Sequence, residues 1–512
     1  MSAQYGSEPL GQFYSGKKAK KRREWRGLKD TWYDYTRWLG YWKTLITFII
    51  KPVNMKGFFR YRWMINYLAL PDFMDRHTEG MRGTQLRMAH RALGLIVTDI
   101  CGMLDTIFKA DPAVGNDQKL NSKIVLFDEN MMSTLMGGFP NLTWLSAEIP
   151  AVYTPSMMSQ KGVTYYVDKT HEYGVPTDVC PMPAAELGVA LAGDFPLIGC
   201  CAVQCNTTCD GSLMGNGIEA EAFRIPTFQL AVPIRHLQES VQEYAAEEVA
   251  NAIHFIEEQT GETFDWEAFF TSMRRFNQES EEFRNWLDIS RTDYPQVMGV
   301  TLALYRYGVY QAAGGRNQAF LDTDRWLTAM AEKACANHEM AGKEYRHRAL
   351  TWGVQAAYYT AFPIWLMNCW GIVPVGDMLS LISADPVNTE DKDQALRDLA
   401  LLYENMIMRN RSNGGYETGV AALWKYCEMF RIDMVIMYSH IGCKSMSGYH
   451  GLFEEEARKR GIHFIWVNHN LMVPEDGPRH EMRMEVNRYM RSVLQEEPVD
   501  PTLEDFDDSE SW

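Results

Sequence analysis

The sequence lacks a long apolar run near its start. The first such run, Leu45 to Ile50, is far shorter than the roughly 20 residues a helix needs to cross a bilayer. The opening stretch, Met1 to Gly16, is polar and has no secretion-signal core. No membrane span and a cytoplasmic setting are therefore expected. Basic residues are also scarce: 50 Lys and Arg stand against 66 Asp and Glu, for a formal charge of −16. That balance argues against a nucleic-acid partner, because phosphate affinity rests on cationic excess. Ten cysteines in 512 residues are too sparse for a disulfide scaffold. The paired Cys-x2-Cys knuckles of structural zinc are missing as well.

What the chain does have is a concentration of cysteine. Cys180, Cys200, Cys201, Cys205 and Cys209 fall between Asp178 and Gly211, a stretch rich in Gly, Asn, Thr and Pro. Cys443 lies far downstream, in Tyr438-Ser-His-Ile-Gly-Cys-Lys444. Soft thiolates gathered from separated loops suit an iron–sulfur cluster. His440 and Lys444 flank Cys443 and are the catalytic candidates, able to shuttle a proton or meet a substrate phosphate. Cys101, Cys335, Cys369 and Cys427 sit in helical patterns and read as packing residues. The composition, 46% apolar and 23% charged, is that of an ordinary globular protein.

Read in order, the chain divides into five parts. Residues 1–115 form a basic, aromatic extension (Lys17 to Arg23, then Trp25 to Trp42) followed by a helical pattern over 72–110. Residues 116–235 form a first α/β domain, with strands expected at Lys123–Phe127, Asn141–Leu145, Phe195–Ile198 and Arg224–Leu230. Residues 236–345 are helical, with amphipathic segments at Arg235–Glu258, Trp266–Ile289, Val300–Ala313 and Thr323–Cys335. Residues 346–495 form a second α/β domain with strands at Trp370–Val375, Ile432–Tyr438 and Gly461–Val467, and 496–512 form an acidic tail read as disordered. Each α/β unit reads as strand, cysteine loop, helix, strand. That is the pattern of a parallel sheet, with ligands gathering at the carboxyl ends of its strands.

Several stretches, in this order, resemble the family of (R)-2-hydroxyacyl-CoA dehydratases and ATP-dependent benzoyl-CoA reductases. They are Tyr173-Gly-Val-Pro-Thr-Asp-Val-Cys180, Cys200-Cys-Ala-Val-Gln-Cys205-Asn206, Thr207-Thr-Cys209-Asp-Gly211, Ser439-His-Ile-Gly-Cys443-Lys-Ser-Met-Ser-Gly448 and Glu481-Met-Arg483-Met-Glu485. The sequence departs from the family at Asp128–Met132, where a proline is missing, and at Asn468-His469 in place of an acidic pair. The resemblance implies a [4Fe-4S] cluster held by three cysteines. Cys180 and Cys443 are ligands, and Cys205 or Cys209 (with Cys201 also open) is the middle one.

The resemblance further implies an oxygen-sensitive heterodimer with a homologous second subunit, served by a separate ATP-hydrolysing iron–sulfur reductase. Its reaction would be the loss of water from a 2-hydroxyacyl-CoA through a ketyl radical. Reduction of an aryl-CoA ring and a non-catalytic electron-relay role are the alternatives, and a zinc-stabilised α/β protein is the plainest one.

Overall fold

A computed structural model describes residues 26–128, 133–158, 163–205, 209–233, 239–308, 313–381, 385–406 and 416–505. The basic run Lys17–Arg23, Trp25, Asn130, the Asn206–Thr208 part of the cysteine loop and the last seven residues lie outside these. Two four-stranded parallel sheets carry the fold. The first contains β1 (Ile124–Phe127), β2 (Thr143–Leu145), β3 (Cys201–Cys205) and β4 (Thr227–Leu230), in the order β2-β1-β3-β4. The second contains β5 (His347–Trp352), β6 (Ile372–Asp377), β7 (Met434–His440) and β8 (His463–His469), in the order β6-β5-β7-β8.

Both sheets repeat one topology. The chain leaves the first inner strand for one side, then returns to the other side for the second inner strand. Val125 of β1 therefore has Trp144 of β2 on one flank and Cys201 of β3 on the other. The point where the winding reverses lies between β1 and β3 in one sheet and between β5 and β7 in the other. In open parallel sheets a crevice forms at the carboxyl ends of such a pair. β1, β3 and β5 are buried at every position, as strands covered on both faces must be.

The strand boundaries differ from the sequence reading at two places. Phe195–Ile198 is irregular rather than a strand, and the strand begins instead at Cys201. Pro196 has no N–H to give to a ladder in the middle of that apolar run. β5 is a strand the sequence reading did not pick out. The helical pattern over 72–110 is interrupted at Thr78–Arg82, giving helices Leu70–His77 and Gly83–Ala110.

Helix Leu28–Ile49 packs on helix Gly83–Ala110 through buried Tyr41, Leu45 and Phe48. The Tyr41 hydroxyl donates to the His90 carbonyl at 2.9 Å, and His90 Nε2 meets Asp34 at 2.7 Å. Its outer face leaves Leu28, Trp32, Tyr35 and Leu39 exposed at helical spacing. Residues 496–505 are not a loose tail. The Trp365 indole donates to the Leu503 carbonyl at 2.7 Å, and Arg491 pairs with Glu504 at 2.7 Å. No described helix is long and apolar enough to cross a membrane.

The helical region between the sheets buries charge. Arg306 and Asp324 pair at 2.7 Å with both side chains inaccessible to solvent. Burial and the neighbouring Asp324 carboxylate push Glu279 up to about 9. The folded protein therefore holds a proton that the unfolded chain loses near pH 4, so stability falls as pH rises from about 4 to about 9. Glu279→Gln is neutral throughout that range. It is expected to bring the urea midpoints at about pH 6 and about pH 8.5 closer together than they are in the parent.

Candidate functional site

Three cysteines stand at the residue immediately before a helix. Cys180 precedes Pro181–Leu191, Cys209 precedes Asp210–Phe223, and Cys443 precedes Lys444–Gly448. Pro181 suits the first helical turn, because its missing N–H has no helical partner to lose. A helix start presents unpaired N–H groups, the environment that favours thiolate over thiol. All three line one cavity of about 380 Å³ between the two sheets.

Charge coupling places the sulfurs near one another. Burial pushes the Cys180 thiol well up, and the Cys209 and Cys443 sulfurs push it the same way against the opposing Met182 amide. Cys443 is likewise raised by burial and by Cys209, with the Met446 and Ser445 amides opposing. Cys180 and Cys443 are thus buried thiols whose ionised forms a bound cation would compensate.

The structure separates the candidate cysteines. Cys205 is buried at the end of β3 among core residues, with Tyr403 beside it, and does not reach the cavity. The Cys200 thiol donates to the Ile124 carbonyl at 3.1 Å, and Cys201 is buried in β3. Cys209 alone of the loop cysteines joins Cys180 and Cys443. Cys101, Cys335, Cys369 and Cys427 lie in helices away from this cavity.

His440 ends β7 with Nε2 3.2 Å from the Cys180 sulfur. The Gly442 N–H meets Nδ1 at 3.4 Å, and the ring also bonds to the His469 backbone. Burial pushes His440 down to about 4, so the ring is neutral at pH 7. It stacks on His469, 5.5 Å between centroids. Lys444 Nζ meets Asp178 Oδ2 at 2.6 Å on the rim and bridges the two cysteine loops. That pair is exposed and worth little by itself.

The loop after β5 contributes residues the sequence reading missed, chiefly Val354 and Gln355. Gly353 allows their approach. It takes φ +91°, and a Cβ there would meet the Tyr438 carbonyl oxygen at 2.5 Å. A glycine directly after the Leu-Thr-Trp end of an apolar run is the signal that could have located this loop.

Among the described residues, no three His, Cys, Asp or Glu side chains close around a single metal ion. As donors, three cysteines about a shared cavity fit a polynuclear iron–sulfur group. The donor set, all thiolate with no carboxylate among it, fits the same group.

No curated protein matches the sequence. The family described as 2-hydroxyglutaryl-CoA dehydratase, D-component, matches residues 135–487, from just after β1 to within the last long helix, Arg479–Tyr489. This span is more than half of the chain and holds all three cavity cysteines, and the chain therefore belongs to the family of 2-hydroxyglutaryl-CoA dehydratase D-components.

Proposed function

We propose that the chain is the iron–sulfur subunit of a 2-hydroxyacyl-CoA dehydratase, working with a homologous second subunit and a separate ATP-hydrolysing reductase. The observation that supports this reading most is the meeting of Cys180, Cys209 and Cys443 in one cavity between two parallel sheets. Those three residues would hold a [4Fe-4S] cluster. When bound, such a group supplies a one-electron store and an iron with an open position able to polarise an oxygen.

The chain's own residues do the rest. The helix starts after Cys180 and Cys443 present amides to the sulfurs. His440, 3.2 Å from the Cys180 sulfur, is placed to position that sulfur. Lys444, largely exposed at the mouth, is placed to meet the anionic end of a CoA ester when it parts from Asp178. The apolar walls keep water from the reacting thioester.

The reaction inferred is a radical elimination. One electron enters the thioester carbonyl, the α-hydroxyl leaves as water, a β-proton is lost, and the electron returns as the unsaturated thioester departs. A second reading, reduction of an aryl-CoA ring, draws its support from the same apolar walls.

An anaerobic assay with ATP, the reductase and a 2-hydroxyacyl-CoA tests the choice. The expected outcome is an enoyl-CoA formed over many turnovers per electron delivered. Electron use in proportion to product would move the assignment to the ring reductase. No conversion of either ester class would remove the catalytic reading.

A further inference from the structure

Helix Leu28–Ile49 has a second face that the fold leaves in water. One side packs on helix Gly83–Ala110 through Tyr41, Leu45 and Phe48. The other carries Leu28, Trp32, Tyr35, Leu39 and Ile46 at steps of three, four or seven, with Ile50 at the C-terminal cap. These six are 52 to 91 % exposed. Their spacing keeps them on one stripe, about 33 Å long at the rise of a helix. Exposed apolar residues gathered on one face mark a docking surface, whereas scattered ones do not. The stripe lies ahead of residue 135, where the span shared with the family begins.

Charge points to what docks there. Residues 17–62 hold 14 Lys and Arg against three Asp and Glu. The other 466 residues hold 36 against 63, so the cations are concentrated here on an acidic background. Lys17, Lys18, Lys20, Lys21, Arg22 and Arg23 form the densest part. Arg23 is five residues from Leu28, so at most about 18 Å of chain separates the two. Two of the three acids are engaged within the fold. Asp30 accepts from the Gly83 N–H at 3.0 Å, and Asp34 pairs with Arg26 at 2.7 Å. Lys29, Arg37 and Lys43 are exposed on the same helix.

The partner must then be anionic at its surface and apolar just beneath. A nucleic acid would use the cations but leave Leu28, Leu39, Ile46 and Ile50 wet, since aliphatic groups offer phosphates nothing. A second copy of the chain would set like charge against like. An anionic bilayer meets both demands, with phosphates for the cations and acyl chains for the aliphatic residues. Trp32 and Tyr35 suit the junction between the two layers.

We propose that the N-terminal segment docks the protein on an anionic membrane surface, with helix Leu28–Ile49 lying in the plane of the interface and its exposed stripe against the acyl boundary. This is attachment to one leaflet, not spanning, as no described helix is long and apolar enough to cross.

Co-sedimentation of the anaerobically purified full chain with vesicles tests this. One set is phosphatidylcholine alone and the other contains phosphatidylglycerol as well. Partition onto the anionic set is expected to be about tenfold or more stronger, and to weaken as salt is raised. Alanine at the six cations of residues 17–23 should remove that preference. Trp32→Glu with Leu39→Glu should weaken attachment to the anionic set by about tenfold or more. Both positions are exposed, so that variant should keep the urea midpoint of the parent.

Equal partition onto the two sets, or onto neither, would overturn the proposal. Attachment unaltered by Trp32→Glu with Leu39→Glu would overturn the role given to the helix. Tighter binding to mixed-sequence duplex DNA than to anionic vesicles would overturn it in favour of a nucleic-acid surface. A dimer that this double variant abolishes, without vesicle attachment by the parent, would give the stripe to a second copy instead.

Discussion

Cys209→Ala is expected to yield a chain that purifies anaerobically with little iron or sulfide and no dehydratase turnover. Cys180→Ala and Cys443→Ala should behave the same way. Cys205→Ala, four residues from Cys209, should keep the full complement of both elements. The contrast follows from where the backbone puts the two sulfurs. Cys205 closes β3 inside the core, whereas Cys209 lies beyond the loop, at the start of helix Asp210–Phe223, and lines the cavity. Losing the Cys205 sulfur removes a small buried group and costs about 1 kcal/mol of stability. Losing any of the three cavity thiols instead removes one of the sulfurs proposed to hold the cluster, and no other described lining residue is a cysteine. Iron and acid-labile sulfide per chain, measured side by side for the four variants, checks this. Equal loss in Cys205→Ala and Cys209→Ala would move the middle ligand back to an open question.

The second large effect concerns stability. Asp324→Ala is expected to destabilise the protein by about 3–5 kcal/mol, because it leaves the Arg306 guanidinium buried without its partner. Asp324 is held up to about 6 by burial, yet it remains ionised at pH 7 opposite Arg306. Arg306 also lies 4.8 Å from the centre of the Phe283 ring, so it cannot swing out to water without opening the packing around it. Replacing both partners together, Arg306→Met with Asp324→Leu, should cost far less, since no charge is then stranded. Urea denaturation of the single and double variants at pH 7 gives the comparison. A double variant as weak as the single one would show that the pair, and not the stranded charge, carries the stability.

The parallel-sheet architecture was legible because the later strands are plain in composition. Met434–His440 and His463–His469 are apolar runs bounded by a glycine-containing loop and a charged helix, and both lie within two residues of the expected positions. Two inner strands were harder for a physical reason. β3 reads Cys-Ala-Val-Gln-Cys, small and partly polar, and is buried throughout. Gln204 is tolerated there because the Gln229 side chain on the neighbouring strand donates to it at 2.6 Å. β5 opens on His347 and Arg348, which look like solvent residues in sequence. In the fold His347 meets Asp433 at 2.8 Å and Glu496 at 2.9 Å, and Arg348 donates to the Thr292 carbonyl at 2.8 Å. Those partners are 56 to 149 residues away, beyond the reach of any local pattern.

The site shows the same division. Loop context marked five cysteines between Asp178 and Gly211 together with Cys443, and the family resemblance chose Cys180 and Cys443 while leaving Cys201, Cys205 and Cys209 open; the fold brings only Cys209 of these three to the cavity. His440 was visible as the neighbour of Cys443. That it faces the sulfur of Cys180, 260 residues earlier, depends on the two sheets meeting.

The central claim is that three distant cysteines hold one iron–sulfur cluster. Anomalous diffraction at the iron edge, from crystals grown without oxygen, tests it most directly. A single compact iron peak bonded to the sulfurs of Cys180, Cys209 and Cys443 is the result expected. An iron peak elsewhere, a fourth protein ligand closing the cluster, or zinc in its place would contradict it.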